Sequence, residues 1–249
     1  MLHSRLIILS GPSGVGKTPL KSTLDKHFPE IRNQLIKIVL YNSRNPRPGE
    51  TEGQDYHFRS RNYLNQLRQD EQYIVIDVRG DIQALNLIEL GPLLENHTVL
   101  FEGNTYIALE ILKRFESDLK TKLLSVFLSP MSKAEIQLVQ KYKRNTDFHY
   151  LLTTLMYKKL ERRLQNYGKT LTSKRRENLT IRSQEAYYEL KQAWRFDWII
   201  PNHDGEDSDN WHVMPYPIGD AQISLHTFVD LLQKGHSDFA EKWEKNFIL

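Results

Sequence analysis

The chain has 249 residues, of which 39% are hydrophobic and 26% charged, proportions typical of a folded globular protein. Its formal net charge of +3 is compatible with an anionic substrate but identifies no partner. The absence of cysteine excludes disulfides, thiolate metal sites and cysteine nucleophiles. Because no apolar run approaches the length of a membrane span, we expect a cytoplasmic protein that binds neither membrane nor nucleic acid, with its oligomeric state left open.

Short apolar runs, taken in chain order, predict the strands of a covered, mostly parallel sheet. Helical patterns such as TPLKSTLDKHF and SKAEIQLVQKYKR separate most of the runs. This alternation predicts an α/β fold of three layers. The runs are RLIILSG (5–11), IKIVLY (36–41), YIVIDV (73–78), TVLFEG (98–103), LLSVFLS (123–129) and DWIIPN (197–202).

The first strand leads into GPSGVGKT (11–18), which fits the phosphate-binding P-loop pattern G-x4-G-K-[ST]. Glycines let successive backbone N–H groups point at phosphate oxygens, and the helix that follows adds a partial positive charge at its N-terminus. Lys17 would bridge the β- and γ-phosphates of ATP, and the Thr18 hydroxyl would hold Mg²⁺. The predicted ATP phosphate site is Gly11, Ser13, Gly14, Val15, Gly16, Lys17 and Thr18.

Pro19 follows this loop directly. The first turn of a helix tolerates proline, so the fold is compatible with it. In a P-loop, however, the residue after the threonine commonly gives its N–H to the α-phosphate, and Pro19 has none. Losing one hydrogen bond to a charged group costs on the order of 1.5–3 kcal/mol. We therefore expect weakened donor binding rather than a dead site.

The turn-rich segment SRNPRPGE (43–50) and the following GQDYHF (53–58) carry a second candidate site. Arg44 and Arg47 lie three residues apart around a proline, which suits a rigid loop that clamps a phosphate through directional guanidinium contacts. Tyr56 would add a hydroxyl donor. Taken alone, the segment is more typical of a solvated charged loop than of a phosphate site.

Together, GPSGVGKT and SRNPRPGETEGQDYHF resemble the guanylate kinase family, whose motifs read GPSGxGK[ST] and TRxPRxGExxGxDYxF. The resemblance implies a core that binds ATP and Mg²⁺, a subdomain for a nucleoside monophosphate, and a basic lid. Carried onto this chain, Arg44, Arg47 and Tyr56 would hold the phosphate of the acceptor, and Glu50 would brace the arginines. The implied activity is transfer of the ATP γ-phosphoryl group to a small phosphorylated acceptor, by default GMP.

The resemblance also divides the chain. It implies a P-loop core at 1–41 and 96–143, an acceptor-binding subdomain at 42–95, a helical lid at 144–195, and a last core strand with a C-terminal extension at 196–249. The lid is longer than the family's usual one, and its insertion (145–172) has apolar helical spacing at Tyr150, Leu151, Leu155, Leu160 and Leu164. This spacing is compatible with an extra helix, an oligomer contact or a longer lid. The polar, acidic HDGEDSDNW (203–211) is predicted to be a surface loop.

Catalytic arginines are expected in the lid. The segment NLTIRSQEAYYELKQAWRFDWIIPN (178–202) resembles the closing helix and strand of the family, which implies that Arg182 neutralises charge on the transferred group. Two basic runs, KYKR (141–144) and KKLERR (158–163), compete to supply further lid arginines, with Arg144 and Arg163 as the candidates. Each of these residues could also belong to a solvated helix face.

The base-reading segment departs from the family pattern. Val75 stands at or near the position of the family's guanine-reading glutamate, and the residues around 82–85 replace its tyrosines and glycine. Either Asp77 or Asp81 then accepts from the guanine N–H groups, or the acceptor is another nucleotide or a sugar phosphate. Glu102, the acid in LFEGNTY, would hold Mg²⁺ through water or be a buried structural glutamate.

A non-catalytic binding module is the remaining alternative, since some guanylate-kinase-like domains are interaction scaffolds. Pro19 favours that alternative. The retained Lys17 and Thr18 favour an enzyme, because these residues serve phosphoryl transfer and not the fold.

Overall fold

The computed structural model describes residues 2, 5–47, 49–115, 123–142 and 145–248, and for residues 145–147 it describes the backbone only. Among these residues, no helix has both the length and the apolar character needed to cross a membrane. The strands are β1 (Leu6–Ser10), β2 (Leu35–Lys37), β3 (Leu40–Asn42), β4 (Tyr56–Phe58), β5 (Tyr73–Val78), β6 (Asp81–Asn86), β7 (Thr98–Glu102), β8 (Leu123–Ser129) and β9 (Trp198–Pro201). The helices are α1 (Lys17–His27), α2 (Pro29–Arg32), α3 (Arg61–Gln66), α4 (Leu87–Asn96), α5 (Thr105–Phe115), α6 (Lys133–Tyr142), α7 (Asn145–Asn166), α8 (Ser173–Leu190) and α9 (Gly219–Lys234).

The main sheet is parallel throughout its described strands, in the order β2-β7-β1-β8-β9. Strand β1 is buried along its whole length, with Leu6 and Ile8 in one apolar cluster and Ile7 and Leu9 in another. Alternate residues of a strand point to opposite faces, so both faces of this sheet are covered. The predicted α/β fold of three layers is confirmed.

A second, mixed sheet follows the order β4-β3-β6-β5, with β6 antiparallel to both β3 and β5. It corrects two strand predictions. The run 36–41 is not one strand, because the chain leaves the main sheet after Lys37 and enters the second sheet at Leu40. The run 73–78 is β5 and belongs to the second sheet. Strands β4 and β6 were not predicted, since β4 has three residues and β6 carries Asp81, Gln83 and Asn86 among its apolar residues.

Helices α7 and α8 pack against each other above the P-loop end of the main sheet. The buried face of α7 runs through Phe148, Leu152, Met156 and Leu160. This face differs from the predicted stripe, in which Tyr150 is in fact 75% exposed. Leu151 and Leu155 pack only partly against the core. The insertion thus forms a helix. Its buried face follows the four-residue spacing that begins at Phe148, so this face is rotated about the helix axis relative to the face that carries most of the residues named from the sequence.

Candidate active site

The P-loop connects β1 to α1 and depends on its glycines. Gly11, Gly14 and Gly16 have φ values of 139°, 83° and 111°, in the region that favours glycine. A Cβ at Gly11 would lie 2.4 Å from the Leu128 carbonyl oxygen, and one at Gly16 would lie 2.5 Å from Asn202 Nδ2. The loop is therefore fixed by the strands beside it as well as by its own sequence.

Lys17 and Thr18 begin helix α1 at the mouth of this loop. The Lys17 Nζ donates to the carbonyl oxygens of Gly11 (2.6 Å) and Pro12 (2.8 Å). Burial lowers the pKa of Lys17, and the nearby carboxylates of Glu206, Glu189 and Glu102 oppose that shift. A buried ammonium held only by carbonyl dipoles is well placed to exchange them for a phosphate.

Thr18 and Glu102 form an oxygen-only donor set. Their side chains approach to 3.5 Å, Oγ1 to Oε1, at the ends of α1 and β7. Burial raises the pKa of Glu102, an effect that a bound cation would reverse. A hydroxyl, one carboxylate and substrate phosphates suit Mg²⁺, which keeps several waters and needs no protein cage. The described residues contain no group of three or more His, Cys, Asp or Glu that could hold a metal ion.

Pro19 is buried in the first turn of α1 and leaves the helix intact, since the Leu20 N–H donates to the Gly16 carbonyl at 3.0 Å. The first N–H groups of a helix have no partner within it and are those that can bind an anion. Here Gly16, Lys17 and Thr18 keep such a group and Pro19 has none. The N-terminus of α1 therefore offers an anion one hydrogen bond fewer than a helix without proline at this position would.

Arg44 and Arg47 belong to a rigid loop that is braced by Glu50. The two Nη atoms of Arg44 each lie 2.6 Å from a carboxylate oxygen of Glu50, and the Arg47 backbone N–H donates to the same carboxylate at 2.7 Å. Burial alone would raise the pKa of Glu50, but the hydrogen bonds and charge of Arg44 lower it. The Arg44 guanidinium also lies 5.1 Å from the centre of the Tyr56 ring.

The Arg47 guanidinium is different, because it makes no hydrogen bond or ion pair with the rest of the described chain. Burial and the neighbouring charge of Arg44 lower its pKa. An unpaired guanidinium next to a braced one is the arrangement expected of a clamp that awaits a phosphate.

A cavity of about 250 Å³ joins the P-loop to the arginine loop. The predicted residues Arg163 (α7) and Arg182 (α8) also line it, whereas the predicted residues Glu50, Gly14, Val15 and Gly16 do not. Arg144 lies outside the described residues. The predicted residues that line the cavity are Gly11, Ser13, Lys17, Thr18, Arg44, Arg47, Tyr56, Asp81, Glu102, Arg163 and Arg182.

Asp77 is not brought to this cavity, which corrects the expectation that it could contact the acceptor. It pairs with Ile82 across the β5–β6 ladder, whereas Val78 pairs with Asp81. Because adjacent strand residues point to opposite faces, Asp81 and Gln83 face the cavity and Asp77 faces away. The Asp77 carboxylate is 60% exposed and binds Arg68 at 2.6 Å.

The lid arginines approach the P-loop from two helices. Burial and the charges of Arg79 and Arg163 lower the pKa of Arg182 to about 10, so it is charged at neutral pH. Its Nε is buried without a hydrogen-bond partner in the described part of the chain. Arg163 Nη1 lies 2.5 Å from Glu206 Oε2. Buried polar groups normally have partners, so the free Nε of Arg182 marks a place for an anion.

The acidic segment at 203–207 is not the surface loop that was predicted. The Glu206 backbone N–H donates to the Gly14 carbonyl at 3.0 Å, and the Glu206 side chain is 8% exposed. Lys159 donates to the His203 carbonyl at 2.5 Å and lies 3.9 Å from Asp207. In this segment, which we call the acidic strap (203–207), the carboxylates of Glu206 and Asp207 are buried because the basic run of α7 neutralises them, while His203 stays exposed. The opposite charges of HDGED (203–207) and KKLERR (158–163) are the feature of the sequence that could have indicated this contact.

Several cavity residues were not predicted. Gln83 and Asp81 share one face of β6, and Arg79 occupies the turn before it. Others come from distant elements, so no local pattern indicates them. The unpredicted polar residues lining the cavity are Arg79, Gln83, Asn104, Asn178, Glu189 and Glu206.

Comparisons with known proteins show similarity to guanylate kinases in sequence and in fold. The family model described as Guanylate kinase matches residues 3–98. The guanylate kinase of Synechococcus sp. (strain JA-3-3Ab) is 31% identical over 208 residues, which cover 83% of this chain and 79% of that protein. That of Ehrlichia canis (strain Jake) is 29% identical over 204 residues, covering 82% and 81%. The crystal structure of guanylate kinase from Anaplasma phagocytophilum aligns with a TM-score of 0.55 at 17% identity, covering 94% of this chain and 87% of that one, and shares the fold.

Proposed function

The chain belongs to the guanylate kinase family, the ATP-dependent nucleoside monophosphate kinases, and from this premise we propose that it transfers the γ-phosphoryl group of ATP to GMP. One observation carries the proposal for this chain. A P-loop with Lys17 and Thr18 and a braced arginine loop with Arg44 and Arg47 line the same cavity, so both phosphates of the reaction have a place.

The donor would lie on the P-loop. Lys17 would leave the Gly11 and Pro12 carbonyls for the β- and γ-phosphates, and backbone N–H groups of the loop would surround the β-phosphate. Thr18 and Glu102 would hold Mg²⁺, which when bound neutralises charge on the phosphates. These contacts hold the donor in place.

The acceptor would lie on Arg44, Arg47 and Tyr56. The Glu50 brace fixes Arg44, so the loop would meet the acceptor phosphate already ordered. Arg163 and Arg182 would neutralise charge on the transferring group and exclude water as the lid helices close. Positioning and charge neutralisation are sufficient for this reaction, and no covalent intermediate is needed.

A second candidate acceptor, another nucleotide or a sugar phosphate, is favoured by the walls of the cavity. Leu40 and Val78 make part of the wall apolar, and Val75, at or near the position of the family's guanine-reading glutamate, does not line the cavity. Asp81 and Gln83 are the polar side chains of β6 on that face. A carboxylate and an amide can read the N–H and carbonyl groups of guanine, but they bind sugar hydroxyls equally well.

A coupled assay of ADP release tests the proposal. ATP·Mg²⁺ is offered with GMP, dGMP, AMP, UMP, CMP and a set of sugar phosphates, with the Lys17→Ala variant as the blank. We expect turnover on GMP that disappears in the variant. Turnover on a different acceptor alone would establish the second candidate. A folded protein with no turnover on any acceptor would contradict both and favour a binding module.

A further inference from the structure

We propose that Arg79 is a positioning residue that holds the acceptor sheet (β4-β3-β6-β5) closed on helix α8 and keeps Arg182 free for the transferred phosphoryl group. The proposal rests on the proposed function in one respect, namely that Arg182 serves phosphoryl transfer. The evidence comes from the backbone of Arg79, its two carboxylate partners, and a chain of hydrogen bonds that ends at the strand before the P-loop.

The backbone of Arg79 is unusual. Arg79 and Gly80 form the two-residue turn between β5 and β6, with φ values of 54° and 83°. Both positions of such a hairpin turn need positive φ, and asparagine followed by glycine is the favoured pair. Arginine is disfavoured there because its Cβ crowds the backbone. A non-glycine residue held in this conformation suggests that its side chain has a task.

That side chain joins the acceptor sheet to α8. The Arg79 Nε binds a carboxylate oxygen of Glu185, and its Nη2 lies 3.1 Å from Glu189 Oε1. The Arg79 side chain is 18% exposed and the Glu189 side chain 1% exposed. Two carboxylates from one helix face therefore hold one arginine from the tip of a hairpin in a largely buried site. Such ion pairs break only at high cost once both charges are out of water.

The contact continues toward the P-loop. Glu189 Oε2 accepts a hydrogen bond of 2.5 Å from Thr105 Oγ1 at the start of α5. Thr105 Oγ1 in turn accepts one of 3.3 Å from Ser10 Oγ. Ser10 is the last residue of β1 and directly precedes Gly11 of the P-loop. The Ser10 hydroxyl can also donate to the Gly103 carbonyl at 3.2 Å. The hydrogen bonds thus join the acceptor sheet to α8 and α5 and reach the end of the strand that leads into the P-loop.

Arg79 also limits the groups with which Arg182 can pair. Residues 182, 185 and 189 are three and four apart, so they share one face of α8, and residues at this spacing are within reach of each other. Glu185 and Glu189 are both occupied by Arg79. Without Arg79, the Glu185 carboxylate would be free to pair with the Arg182 guanidinium three residues away, and Arg182 would then no longer be free for a phosphoryl group. With Arg79 present, Arg182 keeps an unpartnered Nε beside the P-loop.

The test compares Arg79→Ala with Arg68→Ala. Arg68 is an arginine of the same region that pairs with Asp77 on the outer face, so it controls for the loss of a surface charge pair. We expect Arg79→Ala to lower kcat about 100-fold, the scale of a small misplacement of a catalytic group, with KM for ATP unchanged. Arg79→Lys should recover part of kcat, since lysine keeps the charge but cannot hold two carboxylates as arginine does.

A second readout does not require turnover. The chain has no cysteine, so spin labels can be attached to Asn62→Cys on α3 and Gln184→Cys on α8 alone. Without ligand, the distance between the two labels should have a narrow distribution in the parent and in Arg68→Ala. In Arg79→Ala the mean distance should be longer and its distribution broader. If Arg79→Ala fails to fold because Glu189 is left unpaired, the double variant Arg79→Ala with Glu189→Gln removes the buried charge.

The outcomes separate the two proposals. A parent without turnover would contradict the proposed function, while the distance measurement would still decide whether Arg79 closes the sheet on α8. If Arg79→Ala, or its double variant, keeps the parent's distance distribution, closure by Arg79 is excluded. If the parent is active and Arg79→Ala keeps the kcat of Arg68→Ala, the positioning role is excluded.

Discussion

At the scale of single residues, Pro19 leaves helix α1 intact but has no backbone N–H to offer at the P-loop, where we propose that ATP binds. We expect Pro19→Ala to restore that group and tighten the binding of ATP·Mg²⁺ about ten- to a hundredfold, because a hydrogen bond to a charged group is worth about 1.5–3 kcal/mol. Titration calorimetry measures the change. Pro29→Ala, at the first position of α2, is the control and should bind ATP as the parent does. Equal affinity in Pro19→Ala and the parent would show that no N–H is needed there.

Glu102 gives a prediction for pH dependence. Burial raises the pKa of Glu102, so the folded protein binds this proton more tightly than the unfolded chain does. Stability from this group is therefore present below the unfolded pKa and is lost as pH rises through the raised, folded pKa. In urea unfolding without Mg²⁺, the free energy of unfolding should fall less with rising pH in Glu102→Gln than in the parent.

Glu52 provides a control of opposite sign. Hydrogen bonds from the Phe58 backbone and Arg59 lower its pKa, so its contribution to stability is present above the unfolded pKa and is lost as pH falls. Glu52→Gln should therefore change the pH profile at its acid end and leave the decline assigned to Glu102. Identical profiles for Glu102→Gln and the parent would contradict the assigned burial of the Glu102 charge.

Residues were predictable where their chemistry lies in a local motif. Lys17, Thr18, Arg44 and Arg47 each belong to a short pattern whose spacing reflects phosphate geometry. Arg79 belongs to no such pattern. Its partners lie 106 and 110 residues away in the sequence, and only the fold of α8 onto the acceptor sheet brings them together.

At the scale of elements, the acidic strap (203–207) and helix α7 depend on each other. Lys159 is 6% exposed and neutralises the strap through the His203 carbonyl and Asp207. Lys159→Ala should lower stability by about 1–3 kcal/mol, because the variant loses the buried donor to the His203 carbonyl, while Arg162 still pairs with Asp207 at 3.1 Å. Chemical denaturation measures the loss. Lys158→Ala removes the neighbouring exposed lysine and should have almost no effect, so equal losses in the two variants would contradict the buried contact.

The sequence predicted which apolar runs form strands, but it did not predict the sheet to which each strand belongs. An apolar run such as 73–78 reads the same whether it lies in the parallel core or at the edge of the second sheet, since hydrophobicity does not encode the neighbouring strand. The face toward which Asp77 points depended on that assignment and on register. The run 36–41 was misread for a similar reason, because the break at 38–39 carries no glycine or proline.

At the scale of the whole molecule, two sheets and two helices enclose one cavity in which phosphate-binding groups converge from separate parts of the chain. The sequence predicted those groups through motifs, and the family resemblance predicted their joint purpose. Their convergence itself required the packing of α7 and α8 above the P-loop. The central claim is that the cavity transfers a phosphoryl group between two bound substrates instead of hydrolysing ATP or only binding it.

The most direct test of that claim follows the transferred group itself. ATP labelled with ³²P in the γ-position is incubated with GMP, Mg²⁺ and the protein, and the products are separated and counted. We expect label in GDP, little label in inorganic phosphate, and no labelled GDP with Lys17→Ala. Label found only in inorganic phosphate would contradict phosphoryl transfer between bound substrates. Label that stays in ATP, both with GMP and in parallel incubations with the other acceptors, would contradict it as well.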